Sequence, residues 1–307
     1  MGFQVKKAVR EKIKVKVALM APSGGGKTYS ALRLATGMAE EIKKETGKKA
    51  KILMGNTEQK RGYYYANEFD YDIVDIEPPH IPEKYVELVD FAVENGYDIL
   101  IIDSTTHEWE GQGGCLDIVN QYGGKYQDWA KVTPRHQKFI DAIAESPIHI
   151  IATMRGKDQY ETTKDEKTGK MSVQKLGVGA RQRDGFEYEF TVTFLIDQKT
   201  NSAEVQKDNS HLFENQGPTI LTEKHGIQLM QWANSGEEHQ PTLEEKLEPL
   251  QKSITEIAVE KGGSQNADVV AVLQKYSIVN PKDCLDEKIL KNALKELEKI
   301  KVENKEK

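Results

Sequence analysis

The chain has 307 residues, 43 basic and 49 acidic, with a formal charge of -6 and a hydrophobic content of 37%. That length predicts one large domain plus a smaller appendage, and no run approaches the roughly 20 apolar residues of a membrane span, so no membrane partner is expected. Two distant cysteines, Cys115 and Cys284, without a Cys-x-x-Cys pair exclude a disulfide scaffold and a thiolate zinc site, and the acidic balance confines any nucleic-acid contact to a local basic patch.

The N-terminal stretch from Lys6 to Lys16 is basic but lacks the apolar segment of a secretory signal, so a cytoplasmic protein is expected. Val15 to Met20 is a short β-branched run ending at a Gly-rich turn, the pattern of a buried strand. From Lys27 onward Tyr29, Leu32, Leu34, Ala35 and Met38 recur at helical spacing until the Lys-Lys cluster near Lys43. Strands follow at Ile52 to Met54 and Tyr71 to Ile76, with a polar turn holding Asn56, Thr57 and Glu58 after the first of them. A helix over Tyr85 to Val93 comes after Pro78, Pro79 and Pro82. Ile99 to Ile102 is an apolar strand ending in Asp103 and Ser104, and helical patterns resume at Leu116 to Val119 and at Arg135 to Ile143. Ile148 to Ala152 supplies a further buried strand. Alternating strands and helices predict a parallel, doubly wound α/β sheet.

The pattern then changes. Lys157 to Gly177 is polar and Gly-punctuated, as in a projecting loop or hairpin, and Phe190 to Ile196 with Ala203 to Val205 form an antiparallel hairpin around Lys199-Thr200-Asn201. Ser235 to Thr242 (SGEEHQPT) reads as a linker, dividing the chain into a core at 1–235 and a small all-helical domain at 236–307. In that domain Leu243, Leu247, Leu250, Ile254 and Ile257 mark one amphipathic helix and Leu290, Leu294 and Leu297 another. Twelve lysines against thirteen acidic residues over 241–307 give it no electrostatic case for binding DNA.

The strongest signal is Ala21-Pro22-Ser23-Gly24-Gly25-Gly26-Lys27-Thr28, between the first strand and the first helix. It meets the P-loop pattern G-x-x-x-x-G-K-[ST] except that Ala21 replaces the first glycine. Glycines let backbone N–H groups curl around a phosphate while the helix N-terminus adds a favourable dipole, and Tyr29 follows directly. Lys27 is placed to contact the β- and γ-phosphates of ATP, and the Thr28 hydroxyl to ligate Mg2+. Asp103 ends an apolar strand, where a carboxylate is costly unless it holds something, here the magnesium water shell. Ser104 is a second candidate for the γ-phosphate region. Glu58 lies past the second strand, on the edge that faces the ligand in such sheets, where a carboxylate can orient and deprotonate an attacking water.

A P-loop, a Thr-Glu after the next strand and an Ile-Ile-Asp-Ser strand end together resemble the core of the RecA recombinase superfamily. More closely, APSGGGKT, IIDSTTHEWEG, IHIIATMRGKDQY and RQRDGFEYEF resemble phage-encoded RecA-like ATPases of recombination and single-strand annealing, over roughly residues 13 to 233. The resemblance implies that Glu58 is the catalytic base and that Arg155 stands where relatives place a γ-phosphate sensor. It implies a homo-oligomer, ring or filament, that works on single-stranded DNA, with a phage single-strand-binding or replication protein as a further partner. Relatives line their axis with the loop after the corresponding strand. Here that is Lys157 to Asp184, with seven basic side chains against five acidic, and Lys164, Lys167, Lys170 and Lys175 are the DNA-binding candidates. Arg181, Arg183 and Lys207 are candidates for acting in trans on a neighbour's nucleotide, although Lys207-Asp208-Asn209 lacks the arginine that relatives carry there.

Tyr63, Tyr64 and Tyr65 read as helix packing, with a stacking surface or adenine contact as the alternative. His107 with Glu108 and Glu110 lacks a second histidine at ligand spacing, so no metal site is read there. Gly111, Gly113 and Gly114 suggest a mobile loop. Two other functions fit a P-loop: a small-molecule kinase, and a nucleotide-gated loader or adaptor whose helical tail docks a replication protein.

Overall fold

The computed structural model describes residues 7–164, 171–238 and 243–300. Its contacts divide the chain into two compact units, Met1–Glu237 and Glu238–Lys307. Glu237 belongs to the first because its N–H donates to the Arg10 carbonyl (2.8 Å) and its own carbonyl accepts from Lys12 N (2.9 Å).

The first unit runs β1 (Lys16–Ala21), α1 (Lys27–Thr46), β2 (Ile52–Asn56), β3 (Asp72–Asp75), α2 (Pro82–Glu94), β4 (Ile99–Asp103), α3 (Thr106–Glu110), α4 (Cys115–Gln121), α5 (Trp129–Glu145), β5 (His149–Lys164), β6 (Met171–Ala180), β7 (Val192–Ile196), β8 (Ala203–Asp208) and α6 (Glu223–Asn234). The sheet order is β3-β2-β4-β5-β1-β7-β8. All neighbours in it are parallel except β7 and β8, which form the antiparallel hairpin. The central strands are apolar on both faces. Val17 and Leu19 of β1 with Ile99 and Ile101 of β4 pack into one core, under α1 and α6. Ala18 and Met20 with Leu100 and Ile102 pack into the other, under α2 and α5. Period-two side chains thus serve two helical layers, at about 1.5–3 kcal/mol for each large side chain fully buried.

Helix α6 turns Leu229, Met230 and Ala233 inward at helical spacing and closes one face. It crosses α1 so tightly that a Cβ on Gly37 would lie 1.9 Å from the Glu223 carbonyl oxygen, and one on Gly226 2.1 Å from that of Leu34. Only glycine fits at either position. Helix α5 begins before the residue at which the pattern resumes, and it accommodates Pro134 in its second turn.

Register places the site. Asn56 sits beside Asp103 and Ala21 beside Arg155, so four strand ends meet on one edge. Strand β5 continues past that edge and pairs antiparallel with β6 from Gly156↔Ala180 to Lys164↔Met171. The polar segment is therefore a hairpin. Lys164 and Lys175 lie on its strands, whereas Lys167 and Lys170 fall outside the described residues.

The second unit contains α7 (Leu243–Glu260), α8 (Ala267–Lys275) and α9 (Glu287–Glu298). Leu247, Ile254, Val269, Leu290 and Leu297 form its core. Helix α8 was not expected from the sequence, because its apolar residues cluster rather than repeat.

Candidate active site

Where β1 turns into α1, Gly24 and Gly26 hold φ of +78° and +80°, a region that only glycine enters without strain. A Cβ on Gly25 would stand 2.7 Å from that of Ala21. The three glycines therefore keep the loop open for a phosphate. Ala21 tolerates its methyl group because it is still a sheet residue, paired with Arg155.

Beyond the loop lies a cavity of about 380 Å³ lined by Ser23, Gly24, Gly26, Lys27 and Thr28, by Glu58, Arg61, Tyr64 and Tyr65, and by Asp103 and Arg155. Pro22 contributes to the turn rather than to the wall, its carbonyl accepting from Gly25 N (3.1 Å) and Lys27 Nζ (3.1 Å). The Tyr29 ring packs edge-on against Tyr65 and Phe69 and its hydroxyl donates to Glu68 (3.1 Å), so its side chain supports the cavity wall.

Lys27 Nζ donates to the carbonyls of Ala21 (3.0 Å) and Pro22 (3.1 Å). Burial lowers its pKa while the Asp103 and Glu58 charges raise it. An ammonium held only by loop carbonyls is ready to exchange them for phosphate oxygens. Asp103 is 2% exposed and accepts from Thr28 Oγ1 (2.6 Å) and Thr153 Oγ1 (2.5 Å). Burial raises its pKa, against the two hydroxyl bonds. A buried carboxylate beside the P-loop threonine, with its charge uncompensated by an ion pair, fits a magnesium site. Ser104 does not reach the cavity: it is fully buried and its Oγ has no partner.

Glu58 is held from two sides. Its backbone N–H donates to Asn56 Oδ1 (3.1 Å), and Asn56 in turn donates to Asp75 (2.6 Å) and to the Gln59 carbonyl, which sets the turn after β2. Its carboxylate, 14% exposed, accepts three N–H bonds from Arg155 at 2.8, 2.8 and 3.1 Å. Arg61 Nη1 lies 3.7 Å away. Burial pushes the Glu58 pKa up, but the Arg155 hydrogen bonds and charge, with His107 and Lys27, bring it below the ordinary value. Arg155 therefore occupies the candidate base rather than an open sensor position.

Thr57 links the two acid-bearing strands. Its N–H donates to the Asp103 carbonyl (2.7 Å), its Oγ1 accepts from Ser104 N (2.8 Å) and it lies 2.6 Å from His107 Nδ1. His107 is thus a positioning residue for the Glu58 turn. Thr153, Arg61 and this His107 contact were missed in sequence, where nothing marks which face of β5 or α3 meets the nucleotide edge. The tyrosine run divides: Tyr65 packs on the core and on Tyr29 of α1 while also lining the cavity, and Tyr64, 70% exposed, lines the cavity as the alternative reading had it.

Of the trans candidates, Arg181 pairs with Glu110 (3.2 Å) and Arg183 is exposed. Lys207 is committed elsewhere, donating to the carbonyls of Tyr188 and Phe190 (2.7 Å for the latter), so its ammonium braces its own sheet edge. Near α3 the tertiary structure also gathers Glu108, Cys115 and His136, three metal-capable side chains that no sequence spacing joins. Cys115 Sγ and His136 Nδ1 each lie 3.0 Å from Glu108, and Gln182 donates to it as well, so hydrogen bonds account for this cluster.

A family model described as AAA domain matches residues 13–225. The chain belongs to the AAA domain family. The match spans β1 to the start of α6, hence every strand of the sheet and every residue that lines the cavity. The AAA domain makes this a P-loop, nucleotide-binding ATPase with a mainly parallel α/β core. No curated protein matches the chain. Among the described residues, no helix is long and apolar enough to cross a membrane.

Proposed function

We propose that this AAA-domain protein is a magnesium-dependent ATP hydrolase of the RecA-like type that works as a homo-oligomer on single-stranded DNA in phage recombination or replication. The observation that carries the ATPase chemistry is the convergence of Lys27, Thr28, Asp103 and Glu58 on one cavity, with the second acid supplied by the strand end of β2. A small-molecule kinase would need an acceptor pocket beside Glu58, whereas hydrolysis needs only a water there.

Thr28 and Asp103 would hold Mg2+, which neutralises charge building on the β- and γ-phosphates. Lys27 leaves the loop carbonyls for those phosphates. Glu58 accepts a proton from the attacking water, and it is competent only when Arg155 loosens its grip. A γ-phosphate competes for that guanidinium, so Arg155 would pass from base to phosphate as the substrate seats. Of the three trans candidates, exposed Arg183 is the one whose side chain is left for a neighbouring subunit. The RecA-like assignment is supported by the placement of β5 between the P-loop strand and the Asp103 strand.

The test is the ATP hydrolysis rate of the full chain with and without single-stranded DNA. Stimulation by DNA supports the proposal. Hydrolysis that rises only with a phosphate acceptor favours a kinase, and binding without turnover favours a loader.

A further inference from the structure

Between α4 and α5 the chain turns through Tyr122-Gly123-Gly124-Lys125-Tyr126, which the nucleotide cavity does not use. Tyr126 is 92% exposed and Tyr122 51%. Lys125 is exposed between them, and Lys131 Nζ stands 4.2 Å from the Tyr122 ring centroid. Of the neighbouring acids, Asp128 pairs with Lys131 (3.8 Å) and accepts from Lys125 N (3.1 Å), Glu110 pairs with Arg181 (3.2 Å), and Asp117 accepts from Gly113 N (2.8 Å). Beneath the turn, Trp109 and Trp129 stack with ring centroids 5.3 Å apart, and both pack on the small core around Ile118 and Val132.

Their location follows from the topology. Strand β4 ends at Asp103 on the nucleotide edge and α5 leads back to the start of β5, so the turn before α5 lies on that same edge. The β5–β6 hairpin leaves the sheet there too, with Arg181 at its foot bound to Glu110 of α3. Helix α3 also touches the nucleotide site, because Thr106 Oγ1 accepts from Arg155 N (2.8 Å).

We propose that Tyr122, Lys125 and Tyr126 form a stacking platform for single-stranded nucleic acid. The rings take successive bases and the lysines face the phosphates, a mode indifferent to sequence because every base has a π face. This rests on the reading of the chain as a DNA-dependent ATPase. A strand seated there bears on α3, and through it on the arginine that holds Glu58.

The test is fluorescence anisotropy of a labelled oligothymidylate with the full chain, for wild type, Y122A, Y126A, Y126F and K125A, each checked for an unchanged melting temperature. Y122A and Y126A should each weaken binding by about 10-fold, within the range of one lost base stack. Y126F should stay within about 2-fold of wild type, and K125A should flatten the log affinity against log salt slope by about 0.7. DNA-free ATP hydrolysis should not change in any of them. Wild-type binding that both alanine variants keep within about 2-fold overturns the platform and leaves the DNA reading intact. An absence of wild-type binding overturns both. Alanine variants that alter self-association in sedimentation but not oligonucleotide affinity identify the turn as a protein contact and overturn the platform.

Discussion

Replacing Glu58 by glutamine tests the chemistry at its narrowest point. Glutamine keeps the volume and one oxygen acceptor for Arg155, so the turn set by Asn56 and the P-loop should both survive. What is lost is the ability to take a proton. A general base contributes about 10²- to 10⁴-fold, or roughly 3–5 kcal/mol of activation free energy. Steady-state ATP hydrolysis should therefore fall by at least about 10²-fold, while the affinity for a fluorescent ATP analogue stays within about 3-fold. The pH profile carries the same logic. Because the folded-state pKa of Glu58 is depressed, its carboxylate persists below the ordinary glutamate range, and the stability from the Arg155 pair is lost only as pH falls through that depressed value. A Glu58→Gln protein that turns over at the wild-type rate would refute the assignment, and one that loses nucleotide binding in parallel would make Glu58 a structural residue.

Lys27→Ala should abolish hydrolysis and weaken nucleotide binding without unfolding the chain, since its ammonium touches only loop carbonyls; near-normal turnover in a folded variant refutes the site. Asp103 has a raised folded-state pKa, so the folded chain binds more protons than the unfolded one across that window and stability falls as pH rises through it. Asp103→Asn should melt higher than wild type at neutral pH in the absence of nucleotide, with the difference closing in acid, and should lose magnesium-dependent nucleotide binding; a variant that melts lower at neutral pH contradicts this. Gly226→Ala should cost about 1–3 kcal/mol in denaturant unfolding, because its methyl group enters the Leu34 carbonyl and the helices must part. An unchanged midpoint would mean that α1 and α6 do not meet so closely.

Elements whose signals are local could be read from the residues alone. The P-loop is legible because glycine φ values, the helix N-terminus and the lysine lie within eight residues, and β1, β2 and β4 because a strand buried on both faces is continuously apolar. Asp103 was visible as a charge at the end of such a run, and Glu58 by its place after β2. Tertiary structure alone decided what those groups do to one another. That Arg155 clamps Glu58 depends on sheet order, which brings residues 97 apart in sequence into a three-bond contact. Thr153 meeting Asp103 depends on which face of β5 turns inward. Helix α6 was missed although Leu229, Met230 and Ala233 stand at helical spacing; what no local pattern records is the close crossing that needs Gly226, a residue that lowers helix propensity. The partners of Tyr29 and Lys207 were hidden for the same reason: a side chain's chemistry is written in the sequence, but the groups that satisfy it are chosen by the fold.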